Sequence, residues 1–278
     1  MAAVARNRAI SRLAGSPTTW FSAAFILALI LMATVGPYLF GDVDPNTISM
    51  SIMAPPSAEF PFGTDELGRD VLQYIVHGAQ VSLYVGFSAA FAATILGGLI
   101  GAVSGYVGGR IDTLIMRVTE IFQSMPTFVL AALIVALLGP GNNRVILVIA
   151  LLSWPQTARL MRGEVLRVKR LDFVTAARCL GQSETVILIK EVVPNCLAPV
   201  IALGTLTVAQ AILLEASLSF FGLTNPDTIS WGRILTSGQR YIFQAWWLSL
   251  FPGMAIFLTV FSFNVLGDSL RQALDPKS

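Results

Sequence analysis

A chain of 278 residues that is 55% apolar and only 12% charged, with a mean hydropathy of +0.72, is not a water-soluble domain, which carries roughly a quarter charged residues. The net charge of +2, with basic residues in short stretches between apolar runs, also excludes a nucleic-acid partner. Two cysteines, Cys179 and Cys196, lack C-x-x-C spacing, and no disulfide is expected between them.

A bilayer core about 30 Å thick takes about 20 apolar residues of helix to cross. Six segments meet that need and predict an all-α, polytopic membrane protein in one domain, 20–278, behind a short cytoplasmic segment, 1–19. The first span, 20–41, follows Arg6, Arg8 and Arg12 and reads as an uncleaved anchor. An acidic outer loop from Asp42 to Arg69 holds Pro45, Pro55, Pro56 and Pro61, which suit a turn-rich excursion. The second span is placed at 80–106, the third at 117–139, and the fourth at 143–162, where Arg144 and Arg159 can snorkel from a short apolar stretch. The fifth, 195–222, passes Glu215, and the sixth occupies 243–268.

Positively charged loops stay in the cytoplasm. With the N-terminus inside, fourteen of the 18 Lys and Arg fall on inner segments, leaving Arg69, Arg144, Arg233 and Arg240 outside. Both termini and the charged region 163–194 are therefore expected in the cytoplasm.

Along the second span Ala89, Ala93, Gly97, Gly101, Gly105 and Gly109 recur every fourth residue, a stripe on which another helix backbone can come close. Such a stripe suits static packing or a surface that slides, and names no function alone. Gly36, near the end of the first span, lies on no such stripe.

The region 163–194 is too charged to cross a membrane yet patterned like a pair of short helices. Asp172 can cap the first, with Phe173, Ala176, Ala177 and Leu180 on one face, and Gly181 supplies a left-handed stop. Ser183 can cap a second helix carrying Val186, Ile187, Leu188 and Ile189, and Pro194 marks the turn into the fifth span. These features fit a hairpin resting on anionic lipid as well as a surface that docks a protein.

Thr175-Ala176-Ala177, then Gly181, then Val193-Pro194-Asn195 resemble the E-A-A-x-x-x-G…L-P loop by which permeases of bacterial ABC importers dock on their ATPase subunits. Further runs are similar to the dipeptide, oligopeptide and nickel permease family, in particular the second of its paired permeases. These are Phe62 to Leu72, Gly105-Tyr106 with Gly108-Gly109 and Asp112, Glu215 to Leu223, Ser230-Trp231-Gly232, and the ending Gly267-Asp268, Leu270-Arg271, Leu274-Asp275-Pro276. They cover nearly all of the chain after the first span. Thr175 departs from the family's glutamate, Glu191 from its isoleucine and Val193 from its leucine, while the small Ala176 and Ala177 and the Gly181 break are kept.

The resemblance implies a type I ABC importer transmembrane domain in the bacterial inner membrane. Its implied partners are a homologous permease, two ABC ATPase subunits and an external solute-binding protein. Asp172, Phe173, Thr175, Ala176, Ala177, Leu180, Gly181, Ser183 and Pro194 would then form the ATPase-coupling surface. The chain has no G-x-x-x-x-G-K-[ST] loop and no Gly-Lys pair, so ATP and magnesium are expected on the ATPase subunits and no cofactor or metal on this chain. Peptides are the cargo the family most often carries; nickel, glutathione, opines and oligosaccharides are alternatives.

An ion-coupled secondary carrier would need ionisable groups at mid-membrane, and Glu215 is the one acidic residue deep in an expected span. Glu215 is expected to make a structural hydrogen bond near an outer gate, to line the path, or to carry a proton. Gln123, Gln156 and Gln210 are the other candidate pathway residues. His77, the single histidine, is expected at a span boundary, and Tyr241, Trp246 and Trp247 in an outer aromatic belt. No His, Cys or carboxylate spacing suits a metal or a nucleophilic triad.

Overall fold

In a bilayer the backbone must satisfy its own polar groups, so apolar runs of this length fold as helices. The computed structural model describes residues 17–39 and 47–274. Arg6, Arg8, Arg12, Asp42, Pro45 and the tail from Asp275 lie outside the described residues. In chain order the helices are α1 (Pro17–Leu39), α2 (Val71–Val107), α3 (Gly109–Ser124), α4 (Thr127–Leu138) and α5 (Asn142–Val168). Then come α6 (Asp172–Cys179), α7 (Glu184–Phe220), α8 (Trp231–Arg240) and α9 (Trp247–Leu274). Five of them, α1, α2, α5, α7 and α9, are each long and apolar enough to span a membrane.

The third expected span is not one straight helix. Between α3 and α4 the axis turns by 90°, so the two make a sixth crossing only as a bent pair. Pro126 is the cause: a residue before proline is pushed out of the helical region, and Met125 is extended at φ −90°, ψ 142°.

Two other boundaries move. Asp70 caps α2 by accepting from Leu72 N at 2.9 Å, so that helix begins well before residue 80 and His77 lies within its opening turns, its Nδ1 2.8 Å from Gln73 O. At Pro194 the chain does not turn at all. Residues Ile187–Val192 form a widened π segment, and Val193 N–H reaches back five residues to Leu188 O. The wider turn receives a proline that lacks an N–H and would crowd an α-helical carbonyl, and the helix runs on unbroken.

The small-residue stripe packs α2 against α5. A Cβ on Gly97 would stand 2.5 Å from Trp154 O, one on Gly105 2.8 Å from Arg162 O, and one on Gly101 would strike the Ala158 carbonyl. Ala89 and Ala93 continue the same buried line. Gly109 leaves it: with φ +59° beside Gly108 at φ +72°, it makes the turn between α2 and α3 and faces open space. Gly36 is also tight, with Val76 Cγ1 2.7 Å from its would-be Cβ, but that neighbour is one side chain rather than backbone.

At one end of the bundle the loop before α2 is fastened to α9. Asp65 accepts from Leu67 N and Arg69 N, each at 2.9 Å, and pairs with Arg69 Nε at 2.6 Å. Trp247 Nε1 donates to Thr64 O at 3.1 Å, and Phe62 stacks on Phe251 with centroids 4.1 Å apart. Trp247 is therefore buried and not part of an aromatic belt; Tyr241 is half-buried, and Trp246 alone of the three is exposed.

Candidate functional site

At the opposite end, α6 and the start of α7 form a short helical pair. Leu171, extended at φ −78°, ψ 151°, holds the cap position of α6. Asp172 is the first helical residue, not the cap, and favours the helix through its charge near the N-terminus. Gly181 stops α6 at φ +80° as expected. Gln182 N donates to Ala177 O at 3.2 Å and Gly181 N to Arg178 O at 3.0 Å, the bond pair of a Schellman stop. No atom lies within 4 Å of a Cβ built on Gly181, so the backbone angle, not space, requires glycine there. Ser183 takes the cap position of α7 at φ −68°, ψ 147°, but its hydroxyl makes no capping bond.

The expected apolar face divides in two. Val174 and Ala177, the latter 7% exposed, pack inward with Met161, Val165, Val168, Ile187, Val192 and Cys196. Ala177 thus belongs to the chain's own core rather than to a partner-facing surface. Phe173 at 40%, Leu180 at 81%, and Ala176 face outward with Thr175. Val174 was missed because its spacing of three to Ala177 overlaps the edge of the Phe173–Leu180 stripe. Pro194 lies in the continuing helix and outside the turn between α6 and α7.

Polar ties surround this pair. Arg178 donates from Nε to Glu184 at 2.7 Å, and the Tyr106 hydroxyl donates to the same carboxylate. Glu184 beside it raises the Arg178 guanidinium above its already high ordinary pKa, so it stays charged. Asp112 receives Arg162 Nε and Nη2 at 2.5 and 2.6 Å and Ser104 Oγ at 2.5 Å, while Lys169 Nζ donates to Gly105 O at 2.6 Å. Asp112 stood in a recognised motif; no sequence signal paired it with Arg162, fifty residues on.

Gln123 on α3, Gln156 on α5 and Gln210 on α7 are exposed. Glu215 is not: at 1% exposure it lies between helices, accepting from Ser82 Oγ at 3.1 Å. Ser82 in turn accepts from Trp231 N at 3.3 Å, and Trp231 Nε1 donates to Ile75 O at 2.9 Å. A Cβ on Gly232 would strike the Ala216 carbonyl, so the runs Glu215–Leu223 and Ser230–Gly232 are two sides of one contact. Among the described residues no group of three His, Cys, Asp or Glu could hold a metal ion.

The bent span, the helical pair stopped at Gly181 and most of α2's contact with α5 lie in a stretch of the chain that matches a family model. That model, described as the binding-protein-dependent transport system inner membrane component, matches residues 97–278. The chain belongs to this family. Relatives of the permease include a putative peptide transport system permease protein of Brucella suis biovar 1 (strain 1330), 40% identical over 91% of this chain and 85% of its own length. The probable D,D-dipeptide transport system permease protein DdpC of Escherichia coli (strain K12) is 39% identical over 96% of this chain and 90% of its own. The fold is similar to that of a chain of the MetNI methionine ABC transporter, solved in inward-facing conformations, with a TM-score of 0.60 at 19% identity, covering 73% of this chain and 97% of that one. The protein is a multi-helix permease subunit of a binding-protein-dependent importer.

Proposed function

We infer that this chain is one of two homologous permease subunits of an ATP-driven importer, walling half of a path for di- or oligopeptides handed over by an external binding protein. The docking element is the observation that carries the reading: Val174 and Ala177 fasten α6 to the bundle while Phe173, Ala176 and Leu180 remain bare. Apolar side chains left bare on an element too charged to lie within the membrane suit an interaction surface. Anionic lipid is a poor occupant, because Asp172 heads α6 and Arg178 is already engaged by Glu184. Two ATPase subunits are the partners that suit it, and they hold the ATP and magnesium that this chain has no loop to bind.

The excess of Lys and Arg on the inner segments supports a cytoplasmic position for this element and both termini. Peptide cargo is carried over from the relatives' transport systems. Exposed Gln123, Gln156 and Gln210 are compatible with it, since amide side chains donate and accept without fixed charge.

The test is uptake of a labelled dipeptide into proteoliposomes. Uptake should need both permeases, the ATPase subunits, ATP and the binding protein together. Uptake by the two permeases alone would falsify the reading, and a reporter fused after Arg170 that proves external would overturn the orientation.

A further inference from the structure

One face of α5 changes character part-way along. Val145, Val148 and Ile149 are buried there together with Ala131 and Val135 of α4. That cover stops where the axis of the bent pair turns by 90°, beside the edge-on contact of Phe122 with Trp154, whose ring centroids lie 5.8 Å apart. Further along the same face, at the three- and four-residue spacing of a helix, Gln156, Arg159 and Gly163 are exposed. A Cβ built on Gly163 meets nothing within 4 Å, so the space beside Arg159 is open.

Arg159 has no acceptor among the described residues. The other three arginines of α5 are engaged: Arg162 by Asp112, Arg167 by Glu164, and Arg144 by Pro140 O at 3.2 Å. Nor does Arg159 stand at the end of a span, because α5 runs on to Val168, about 14 Å further at about 1.5 Å per residue. A helix of 27 residues is about 40 Å long and outreaches a hydrocarbon core of about 30 Å by only about 10 Å. The Arg159 backbone therefore lies inside the core, in the half nearer α6. A charge at that depth is costly against lipid and belongs on a water-filled cavity or beside a partner group. Gln156, a turn deeper on the same face, has the same need for polar surroundings.

Resting on the peptide-importer reading above, we propose that Arg159 is a solute-binding residue in the inner half of the path, taking the C-terminal carboxylate of a passing peptide, with the Gln156 amide beside it for the peptide backbone. A guanidinium keeps its charge and presents a planar fork of donors that matches a carboxylate, a group common to linear peptides whatever their side chains. The site is open to water rather than enclosed, so the contact is weak enough to be released, as a path requires.

The test uses the complete transporter, purified without nucleotide or binding protein. Gly163→Cys places a thiol one turn from Arg159 in open space, and its reaction with a water-soluble methanethiosulfonate is followed at residue 163 by mass spectrometry. The thiol should react readily; a dipeptide should slow the reaction, and the same dipeptide with its C-terminus amidated should not. Arg159→Gln in the Gly163→Cys background should raise the half-protecting dipeptide concentration roughly tenfold, the size of one charge-assisted contact. Arg159→Lys, which keeps the charge, should raise it less. An unreactive thiol places this face against lipid or protein and overturns the proposal. So does equal protection by acid and amide, protection untouched by Arg159→Gln, or separation of the two permeases by Arg159→Gln, which marks a subunit contact. Uptake of the dipeptide by the unmodified, reconstituted transporter keeps the two readings apart. Uptake without protection sinks this site alone, whereas absence of uptake sinks the peptide cargo on which it rests.

Discussion

The two ends of the bundle are finished differently. At the end near α8, Trp231 and Trp247 are buried, each indole N–H donates to a backbone carbonyl of a distant segment, and Gly232 lies against the backbone of α7. At the other end α6 rests on a small apolar footing and one exposed triad, with Leu180 almost bare. The first end is complete within the chain. The second has the surface of a part awaiting its counterpart, so stability should be concentrated at one end and coupling at the other.

That contrast can be broken by substitution. Trp231→Ala should have the largest effect on folding, about 3 to 5 kcal/mol for a buried tryptophan, seen as loss of monodisperse permease complex in detergent. Normal yield would show that the α8 end is not a closed core. Gly101→Leu should come next, because overpacking costs typically 1 to 3 kcal/mol and here the obstacle is the Ala158 backbone. Gly98→Leu is the control, since a Cβ there meets nothing within 4 Å, and equal thermal midpoints for the two would remove the case for close α2–α5 contact. Glu215→Gln keeps the shape and an acceptor for Ser82 and should cost about 1 kcal/mol or less. If it abolished uptake at normal abundance, Glu215 would be a transport residue rather than a structural one. Leu180→Asp should change stability least, within about 0.5 kcal/mol as for surface positions, and yet remove the ATPase subunits on purification. Their retention would place the docking surface elsewhere.

The spans and the stop at Gly181 were legible in the sequence because length, hydropathy and a left-handed glycine are local properties. The kink at Met125-Pro126 was equally local and was passed over, since counting apolar residues across 117–139 is blind to direction. Ala177 was assigned to the wrong side of α6 because a helical wheel shows which residues share a face, not which neighbour covers it. Trp247 looked like a belt residue for the same reason: its burial depends on Thr64, 183 positions away. Glu215 was legible as a structural acceptor only through Ser82 and Trp231, which meet in three dimensions.

The π segment Ile187–Val192 gives the docking element an angular setting. One turn there holds a residue more than an α-helical turn, and each residue of an α-helix corresponds to about 100° of rotation and 1.5 Å of rise. A chain shortened by one residue between 187 and 192 would have a more regular helix and would bury the same kinds of side chain. It would nevertheless swing Phe173 and Leu180 about a quarter turn around the α7 axis, away from the direction in which they now point. The irregular turn thus fixes the direction in which Phe173 and Leu180 face around the α7 axis, which a perfect helix would not preserve.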